Sequence, residues 1–229
     1  MKRMKKELII FDMDGTLVNS SITIANAINY VRSQLGFEPM DTALILSKVN
    51  DHTVNPAQFF YHAPKFAHDH ERWFSEYYTR NHDKELVLYD GIRELLEDLK
   101  HAGYKLAVAT NAYRRSTIES LTHLGIYVYF DAIACYDDVY KGKPYPDMLF
   151  KLLEELHVSK EASLFVGDGP RDEQAAKRAG IDYIMVDWGF TEHESSKKVV
   201  HSVEALKQML LDTLGAEVPP LKYRLCRHR

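Results

Sequence analysis

Short apolar runs recur along this chain and alternate with amphipathic stretches. Five of the runs are continuously apolar, as expected of parallel strands whose two faces are both covered. They are Leu8–Phe11, Leu106–Ala109, Ala132–Cys135, Leu164–Val166 and Tyr183–Val186. Between them, apolar residues recur at helical spacing. This alternation predicts an α/β fold whose core is a doubly wound, Rossmann-like parallel sheet.

The helical stretches of this core carry start and stop signals. In DGIRELLEDLKHAG, four apolar residues fall at helical spacing, and the pattern predicts Asp90 as the N-terminal cap and Gly103 as the end. Three further stretches repeat the design, namely STIESLTHLG, YPDMLFKLLEELH and RDEQAAKRAG.

The region from residue 19 to 87 breaks this rhythm, because it offers no convincing buried strand. Two segments have helical patterns, SITIANAINYVRSQLG and NPAQFFYHAPKFAHDHERWFSEYYTRNH. Five aromatic residues of the second segment are expected on one broad helical face: Phe66, Trp73, Phe74, Tyr77 and Tyr78. We therefore predict a core formed by residues 1–18 and 88–229, with an all-helical domain inserted at 19–87.

Composition and charge narrow the function classes. The chain has 229 residues, a net charge of −4 and 27% charged residues, which is ordinary for a soluble globular protein of one or two domains. Its two cysteines form no disulfide framework, so we expect a reducing, cytoplasmic location. The first apolar run is too short for a signal peptide or a membrane span. We expect no nucleic-acid or membrane partner, and the basic end LKYRLCRHR is expected to be solvated. The oligomeric state stays open.

Polar residues follow each predicted strand. Asp12 and Asp14 follow the first strand, Thr110 and Asn111 the second, and GDGPRD, which contains Asp168, the fourth. Ligands of open α/β sheets bind outside the carboxyl ends of the strands, so we expect these groups to converge at one edge.

Such a cluster of acids is costly unless it binds a cation. Two carboxylates about 4 Å apart repel by roughly 4 kcal/mol at an effective dielectric near 20. Mg²⁺ takes a few carboxylates together with phosphate oxygens. Thr110, and Lys143 in the loop after the third strand, are suited to a phosphoryl group. Gly167-Asp168-Gly169 lacks a third glycine, so a dinucleotide site is disfavoured.

Four motifs carry a family resemblance. FDMDGT, VATN, GKPYPD and VGDGPRD resemble, in order and spacing, the motifs of haloacid dehalogenase-like (HAD) hydrolases, and the likeness covers nearly the whole chain. The helical insert lies where one type of cap domain lies in that superfamily. The chain looks like the subfamily of phosphoglycolate phosphatases and related small-metabolite phosphatases. The resemblance implies a Mg²⁺-dependent phosphatase with a small phosphorylated substrate.

The resemblance also implies a role for each motif residue. Asp12 matches the nucleophile that forms an aspartyl-phosphate, and Asp14 matches the general acid/base. Thr110, Asn111 and Lys143 match the phosphate-binding groups, of which Thr110 and Lys143 also count as catalytic. Asp12, Asp14 (through its carbonyl) and Asp168 match the metal ligands, and Asp172 matches an acid one layer further out.

Several alternatives stay open. A β-phosphoglucomutase-like phosphomutase or a pyrophosphatase would keep the same core residues, and a non-catalytic module that binds a phosphorylated ligand belongs to another class. The insert lacks the glycine-containing turn of phosphoglycolate-type caps, so the substrate is not specified. Three cations are candidates for an anionic substrate: Lys65, Arg72 and Arg114.

The remaining candidates have plainer interpretations. The insert holds five histidines, which we expect to form no metal site: His52, His62, His68, His70 and His82. Asp137 and Asp138 are expected at the loop surface rather than among the ligands.

Overall fold

The centre of the molecule is a six-stranded parallel sheet with strand order β5-β4-β1-β6-β7-β8. The computed structural model describes residues 6–49, 51, 53–188 and 199–212, and for residues 82 and 83 the backbone alone. The strands are β1 Leu8–Phe11, β2 Val18–Asn19, β3 Val87–Leu88, β4 Lys105–Ala109, β5 Ala132–Ala134, β6 Ser163–Gly167, β7 Asp182–Val186 and β8 Val199–Val200. The predicted α/β fold with a doubly wound parallel sheet is confirmed.

Helices cover both sides of the sheet and form the insert. They are α1 Ser21–Gln34, α2 Thr42–Val49, α3 Pro56–Tyr61, α4 His68–Glu85, α5 Ile92–His101, α6 Arg114–His123, α7 Asp147–Leu156, α8 Pro170–Ala179 and α9 Val203–Asp212. Short 3-10 turns lie at Tyr127–Tyr129 and Tyr136–Asp138. In the described ranges, no helix combines the length and apolar character that crossing a membrane requires.

Alternate residues of β1 feed two separate apolar cores. Ile9 and Phe11 pack on the face covered by α5, α6 and α9, whereas Leu8 and Ile10 pack on the face covered by α7 and α8. All four side chains are fully buried, which explains why the strand has no polar alternation. The strand that carries the acidic motif is therefore fixed from both sides.

The insert has a third apolar core of its own. Residues of α1, α2 and α3 are buried together, and Trp73 and Phe74 of α4 pack against them. The antiparallel pair β2–β3 joins the entry and exit of the insert, with Val18 opposite Leu88. These helices are consistent with a helical cap, while the exact bounds 19–87 stay a prediction.

Three details of the sequence-based prediction were wrong. Asp90 does not cap α5; Gly91 occupies the N-cap position at φ 84°, without a side-chain cap. The second insert segment is two helices, because the chain turns at His62 (φ 54°) and Pro64 follows. Phe66 consequently lies outside α4 and is exposed. The two-residue strands β2, β3 and β8 were also missed, since runs so short have no measurable periodicity.

Candidate active site

The carboxyl ends of three adjacent strands bring the predicted site residues together. β1 pairs with β4 on one side and with β6 on the other. Asp12, Thr110 and Asp168 each follow directly after one of these strands. Asp12 and Thr110 are buried, and the Asp12 N–H donates to the Val166 carbonyl over 2.8 Å. The first acid of the motif is therefore held by the sheet itself.

Lys143 lies between two of the acids. Its ammonium donates a short hydrogen bond to Asp12 Oδ1 and lies 2.7 Å from Asp172 Oδ1. Its side chain is 4% exposed, and its Nζ lies 5.6 Å from the centroid of the Phe165 ring. A buried ammonium needs such partners, because unpaired it would lose its hydration without compensation.

Asn111 holds the backbone of Lys143 at two points. The amide Nδ2 donates to the Lys143 carbonyl over 2.9 Å, and Oδ1 accepts from the Lys143 N–H over 2.8 Å. The resemblance implies that the Asn111 backbone lies beside the phosphate, and the Asn111 side chain ties the lysine loop to the end of β4. Thr110 Oγ1 accepts from the Ala112 N–H over 3.1 Å.

Two glycines allow the backbone to approach the acids. Gly15 adopts φ 82°, and a Cβ there would lie 2.1 Å from Asp168 Oδ2. At Gly167, a Cβ would lie 2.7 Å from the Asp172 side chain. Asp172 Oδ2 in turn accepts from the Gly169 N–H over 3.2 Å. Asp172 thus contacts both the lysine and the backbone of its own loop.

Burial and mutual repulsion dominate the electrostatics. Burial raises the pKa of Asp12 well above its usual value, Lys143 opposes this, and Asp172 and Asp168 add to it. Burial, followed by the charge of Asp172, raises the pKa of Asp168 to about 7. Burial also raises the pKa of Asp14. For Lys143, burial lowers the pKa but Asp12 and Asp172 outweigh it, so the ammonium stays charged.

The donor set fits a hard divalent cation. Carboxylate oxygens of Asp12, Asp168 and Asp172 all lie within 4.8 Å of one another. Within the described part of the chain, Asp14 Oδ1 and Thr16 Oγ1 are buried without a hydrogen-bond partner. Buried polar atoms are normally satisfied, so the unpaired oxygen of Asp14, which belongs to the acidic motif, is compatible with a further polar group there. An all-oxygen set of this kind can hold a divalent metal ion.

Each of the three cations considered for an anionic substrate is either paired with an acid or exposed. Arg114 binds Asp138, with Nε 2.6 Å from Oδ1, so this pair is structural. Arg72 pairs with Asp69 on the surface, and Lys65 is exposed. Among described residues, the only group of three or more metal-ligating side chains is the aspartate cluster, and no histidine belongs to it. His52, the His82 side chain and the basic end at 221–229 lie outside the described residues.

A cavity of about 150 Å³ opens beside the acids, between the core and the insert. The core contributes Asp14, Gly15, Tyr89, Asp168, Asp187 and Trp188, and the insert side contributes Ser20, Ser21, Ile24, Leu46 and Val49. This volume suits a small molecule. Asp12, Thr110 and Lys143 do not line it, so the cavity extends from the Asp14 and Asp168 side of the cluster.

Sequence reasoning missed three of the lining residues that the core contributes to this cavity. Asp187 and Trp188 directly follow β7, so the rule that placed Asp12 and Asp168 at strand ends could have found them. Tyr89 follows the two-residue strand β3, which gave no signal in the sequence.

Comparisons with known proteins agree with this geometry. The family model described as "Haloacid dehalogenase-like hydrolase" matches residues 9–186. A phosphoglycolate phosphatase from Aquifex aeolicus is 32% identical over 188 residues, which are 82% of this chain and 88% of that protein. The pyrophosphatase PpaX of Halalkalibacterium halodurans is 28% identical, covering 81% of this chain and 85% of that protein.

Solved structures give the same result. The crystal structure of a predicted phosphoglycolate phosphatase from Haemophilus somnus matches with a TM-score of 0.70 and 29% identity, covering 81% of this chain and 87% of that one. The similarity that the four motifs indicated is thereby confirmed over most of the chain.

Proposed function

Because the chain belongs to the haloacid dehalogenase-like hydrolase family, we propose that it is a Mg²⁺-dependent phosphatase. It hydrolyses a small phosphorylated metabolite through an aspartyl-phosphate intermediate. The observation that carries this proposal is the buried contact of Lys143 with Asp12 and Asp172, next to Asp168. The relatives named phosphoglycolate phosphatase and pyrophosphatase support a phosphorylated substrate.

Asp12 is the proposed nucleophile. One carboxylate oxygen attacks phosphorus, an oxygen–phosphorus bond forms, and the bond from phosphorus to the alcohol oxygen breaks. Burial disfavours the ionised carboxylate, and the Lys143 ammonium opposes that effect. The lysine therefore keeps a nucleophile available in a site from which water is largely excluded.

Asp14 is the proposed general acid and base. Its pKa is raised by burial, so a larger fraction carries a proton before the reaction. It gives that proton to the leaving alcohol oxygen, then takes one from the water that attacks the aspartyl-phosphate. Its Oδ1 has no hydrogen-bond partner among described residues, and it lines the cavity where the leaving group would lie.

Thr110 and Lys143 are the proposed contacts of the phosphoryl oxygens. Thr110 Oγ1 accepts from the Ala112 N–H, which leaves its hydroxyl proton to donate to the substrate. Lys143 supplies a fixed positive charge. Asn111 acts as a positioning residue through the Lys143 backbone, and it offers its own backbone beside the phosphate.

Mg²⁺ is the proposed cofactor. Asp12 and Asp168, with the backbone carbonyl of Asp14, would hold it, while Asp172 stays with Lys143. When bound, the ion supplies charge neutralisation for the acids and the phosphoryl group. We further propose that the insert is a cap that determines the substrate. Because the chain has only two cysteines, we also propose that the enzyme works in the cytoplasm.

The test is hydrolysis of p-nitrophenyl phosphate with and without Mg²⁺. We expect metal-dependent release in the wild type. Asp12→Asn should lower kcat at least about a thousandfold while the thermal unfolding curve stays that of a folded protein. The exposed acid Asp69, changed to Asn, is the matched control and should keep wild-type turnover.

Two results would contradict the proposal. Wild-type-like turnover by the Asp12→Asn variant excludes Asp12 as the nucleophile. An absence of metal-dependent release at every pH from about 5 to 9 favours the non-catalytic binding module instead.

A further inference from the structure

We propose that Tyr183 is a positioning residue that fixes the backbone around Asp168 and thereby strengthens the binding of Mg²⁺ to the cluster of acids. Tyr183 lies in β7, outside the four motifs, and none of the roles given above falls on it. The inference rests on the proposed function, because it takes Asp168 as a metal ligand. It adds the side chain that holds this ligand in place.

Asp168 stands between two glycines, so the local sequence determines its backbone conformation only weakly. Gly167 ends β6, and Gly169 is the N-cap residue of α8. Glycine has access to more backbone conformations than other residues, so a Gly-Asp-Gly segment loses more conformational freedom when it becomes ordered. A metal ligand binds its ion tightly only when it is held in the right orientation. The segment therefore depends on contacts with other elements to orient Asp168.

The Tyr183 hydroxyl makes such a contact with the residues on both sides of Asp168. It donates to the Gly167 carbonyl over 2.8 Å, and the Gly169 carbonyl oxygen lies 3.4 Å from the same hydroxyl. Because the peptide bond is planar, a fixed Gly167 carbonyl also fixes the N–H and Cα of Asp168. The hydroxyl thus restricts the backbone from which the Asp168 carboxylate extends.

The ring of Tyr183 is anchored, so the position of its hydroxyl is defined. Tyr183 pairs with Phe165 in the register between β7 and β6, and the two ring centroids lie 5.9 Å apart. The ring packs against the apolar core that includes Ala175 and Ala176 of α8. A strand advances by about 6.6 Å over two residues. The tyrosine side chain spans this step, from the level of Phe165 to the Gly167 carbonyl at the edge of the sheet.

The charges around the hydroxyl favour its role as a hydrogen-bond donor. Burial raises the pKa of Tyr183, and nearby acids, Asp172 foremost, raise it further. The phenol therefore keeps its proton, and a neutral phenol donates to a carbonyl. Its two acceptors are backbone carbonyls rather than carboxylates. Tyr183 consequently acts on the backbone, and not as a metal ligand or as a proton donor of the reaction.

Tyr183→Phe isolates this effect, because it removes the hydroxyl and keeps the ring. The contact with Phe165 should persist, and with it the place of the Lys143 ammonium, which lies 5.6 Å from the centroid of the Phe165 ring. We expect Kd for Mg²⁺ to increase about tenfold, measured without substrate from the rise in melting temperature during a Mg²⁺ titration at pH 8.

Hydrolysis of p-nitrophenyl phosphate gives a second measurement of the same effect. In Tyr183→Phe, the Mg²⁺ concentration for half-maximal turnover should rise in parallel with Kd, because the hydroxyl acts through the metal ligand. At saturating Mg²⁺, KM for p-nitrophenyl phosphate should stay close to that of the wild type, since no contact with the substrate is removed.

Tyr104→Phe is the matched control. The Tyr104 hydroxyl also donates to a backbone carbonyl over 2.8 Å, that of Leu210 in α9, in the core on the other face of the sheet. Both variants should melt at a lower temperature than the wild type, because each removes a hydroxyl donor from a carbonyl. Only Tyr183→Phe should change Kd for Mg²⁺. A purely structural role of Tyr183 would make the two variants alike.

The outcomes separate this inference from the proposed function. An unchanged Kd for Mg²⁺ in Tyr183→Phe, or an equal increase in Tyr104→Phe, overturns the inference and leaves metal-dependent turnover by the wild type as support for the phosphatase. A wild type that binds Mg²⁺ but hydrolyses no phosphate ester refutes the phosphatase proposal, while weaker binding in Tyr183→Phe still supports the inference. A wild type that binds no Mg²⁺ overturns both.

Discussion

At the scale of single residues, one buried cation, Lys143, holds two acids of this site together. Lys143 contacts both Asp12 and Asp172, and each of the three side chains is less than 10% exposed. Breaking a buried ion pair by removing one partner costs about 3 to 5 kcal/mol, since the other charge remains unpaired. The lysine therefore contributes to stability as well as to the proposed chemistry.

Lys143→Ala should lower both activity and stability. We expect kcat to fall at least about a hundredfold, because a fixed positive charge at the phosphoryl site is lost. The free energy of unfolding in metal-free urea titrations at pH 8 should fall by about 3 kcal/mol. Lys141→Ala removes an exposed lysine two residues earlier in the same loop and should change neither quantity substantially. Equal effects of the two variants would refute the assigned role.

Asn111 is expected to act through the lysine rather than on the substrate. Asn111→Ala removes two hydrogen bonds to the Lys143 backbone, and we expect a loss of about 2 kcal/mol in unfolding free energy. Because the lysine would be less well positioned, kcat should fall about tenfold or more while KM changes less. Asn111→Asp keeps the acceptor for the Lys143 N–H but sets a carboxylate oxygen against the Lys143 carbonyl, so it should not recover the stability that the alanine variant loses. A change confined to KM would speak against positioning.

The residues of the candidate site were predictable where a strand end positions them. Asp12, Thr110 and Asp168 follow buried strands, so the parallel-sheet rule was sufficient to group them. The bond from Asn111 to Lys143 joins two distant loops, and no local pattern in the sequence reports such a contact. The acid Asp187 was missed although the same strand-end rule applies to it.

At the scale of elements, the connection between β6 and α8 brings the backbone close to the acids. The end of β6 and the start of α8 are separated only by Asp168 and Gly169, so Asp172 in the first turn of α8 folds back over Gly167. The side chain of Asp172 fills the place where a Cβ at residue 167 would lie. This β6–α8 connection thereby directs Asp172 towards Lys143.

Gly167→Ala should disturb this connection, whereas Gly169→Ala should not. A Cβ at residue 167 would lie 2.7 Å from the Asp172 side chain, but one at residue 169 would lie 3.7 Å from Asp172 Oδ2, an ordinary contact. We expect Gly167→Ala to lower the unfolding free energy by about 1 to 3 kcal/mol and to reduce kcat. Gly169 has φ −131°, which alanine also adopts. Equal stability of the two variants in urea titrations would contradict this account.

Strands with a continuously apolar sequence could be predicted. Short strands that exist only because two distant segments pair could not. The five predicted strands are all present, because burial on both faces requires continuously apolar runs. The ribbon β2–β3 exists because two distant ends of the insert meet, and its two-residue strands carry no pattern of their own. Asp90 failed as a cap because Gly91, in the left-handed region, occupies that position.

The arrangement of the whole molecule concentrates negative charge at one place. The sheet directs Asp12, Asp14 and Asp168 to its carboxyl edge, and α8 adds Asp172. Burial under the flanking elements raises the pKa of the first three acids. Folding without metal therefore opposes ionisation, so stability, metal binding and pH are linked in this protein.

Asp168 links the stability of the folded protein to pH. Its pKa in the folded protein is about 7, above the value of about 3.9 for an unfolded aspartate. The folded state thus binds the proton more tightly. Its contribution to stability is fully present below about pH 4 and is lost as pH rises through about 7. A divalent ion that binds the carboxylate form should restore the loss at high pH and should compete with protons at low pH.

Mg²⁺ should therefore raise the melting temperature more at pH 8 than at pH 5.5. At a hundredfold excess over Kd, binding to the folded state alone contributes about 2.7 kcal/mol, or roughly 5 to 10 °C for a chain of this size. Differential scanning fluorimetry with Mg²⁺, and with EDTA as the metal-free reference, measures this shift. Asp168→Asn should abolish it, while Asp69→Asn on the surface should preserve it. An equal shift at both pH values, or a full shift in Asp168→Asn, would exclude Asp168 as the ligand that links metal binding to pH.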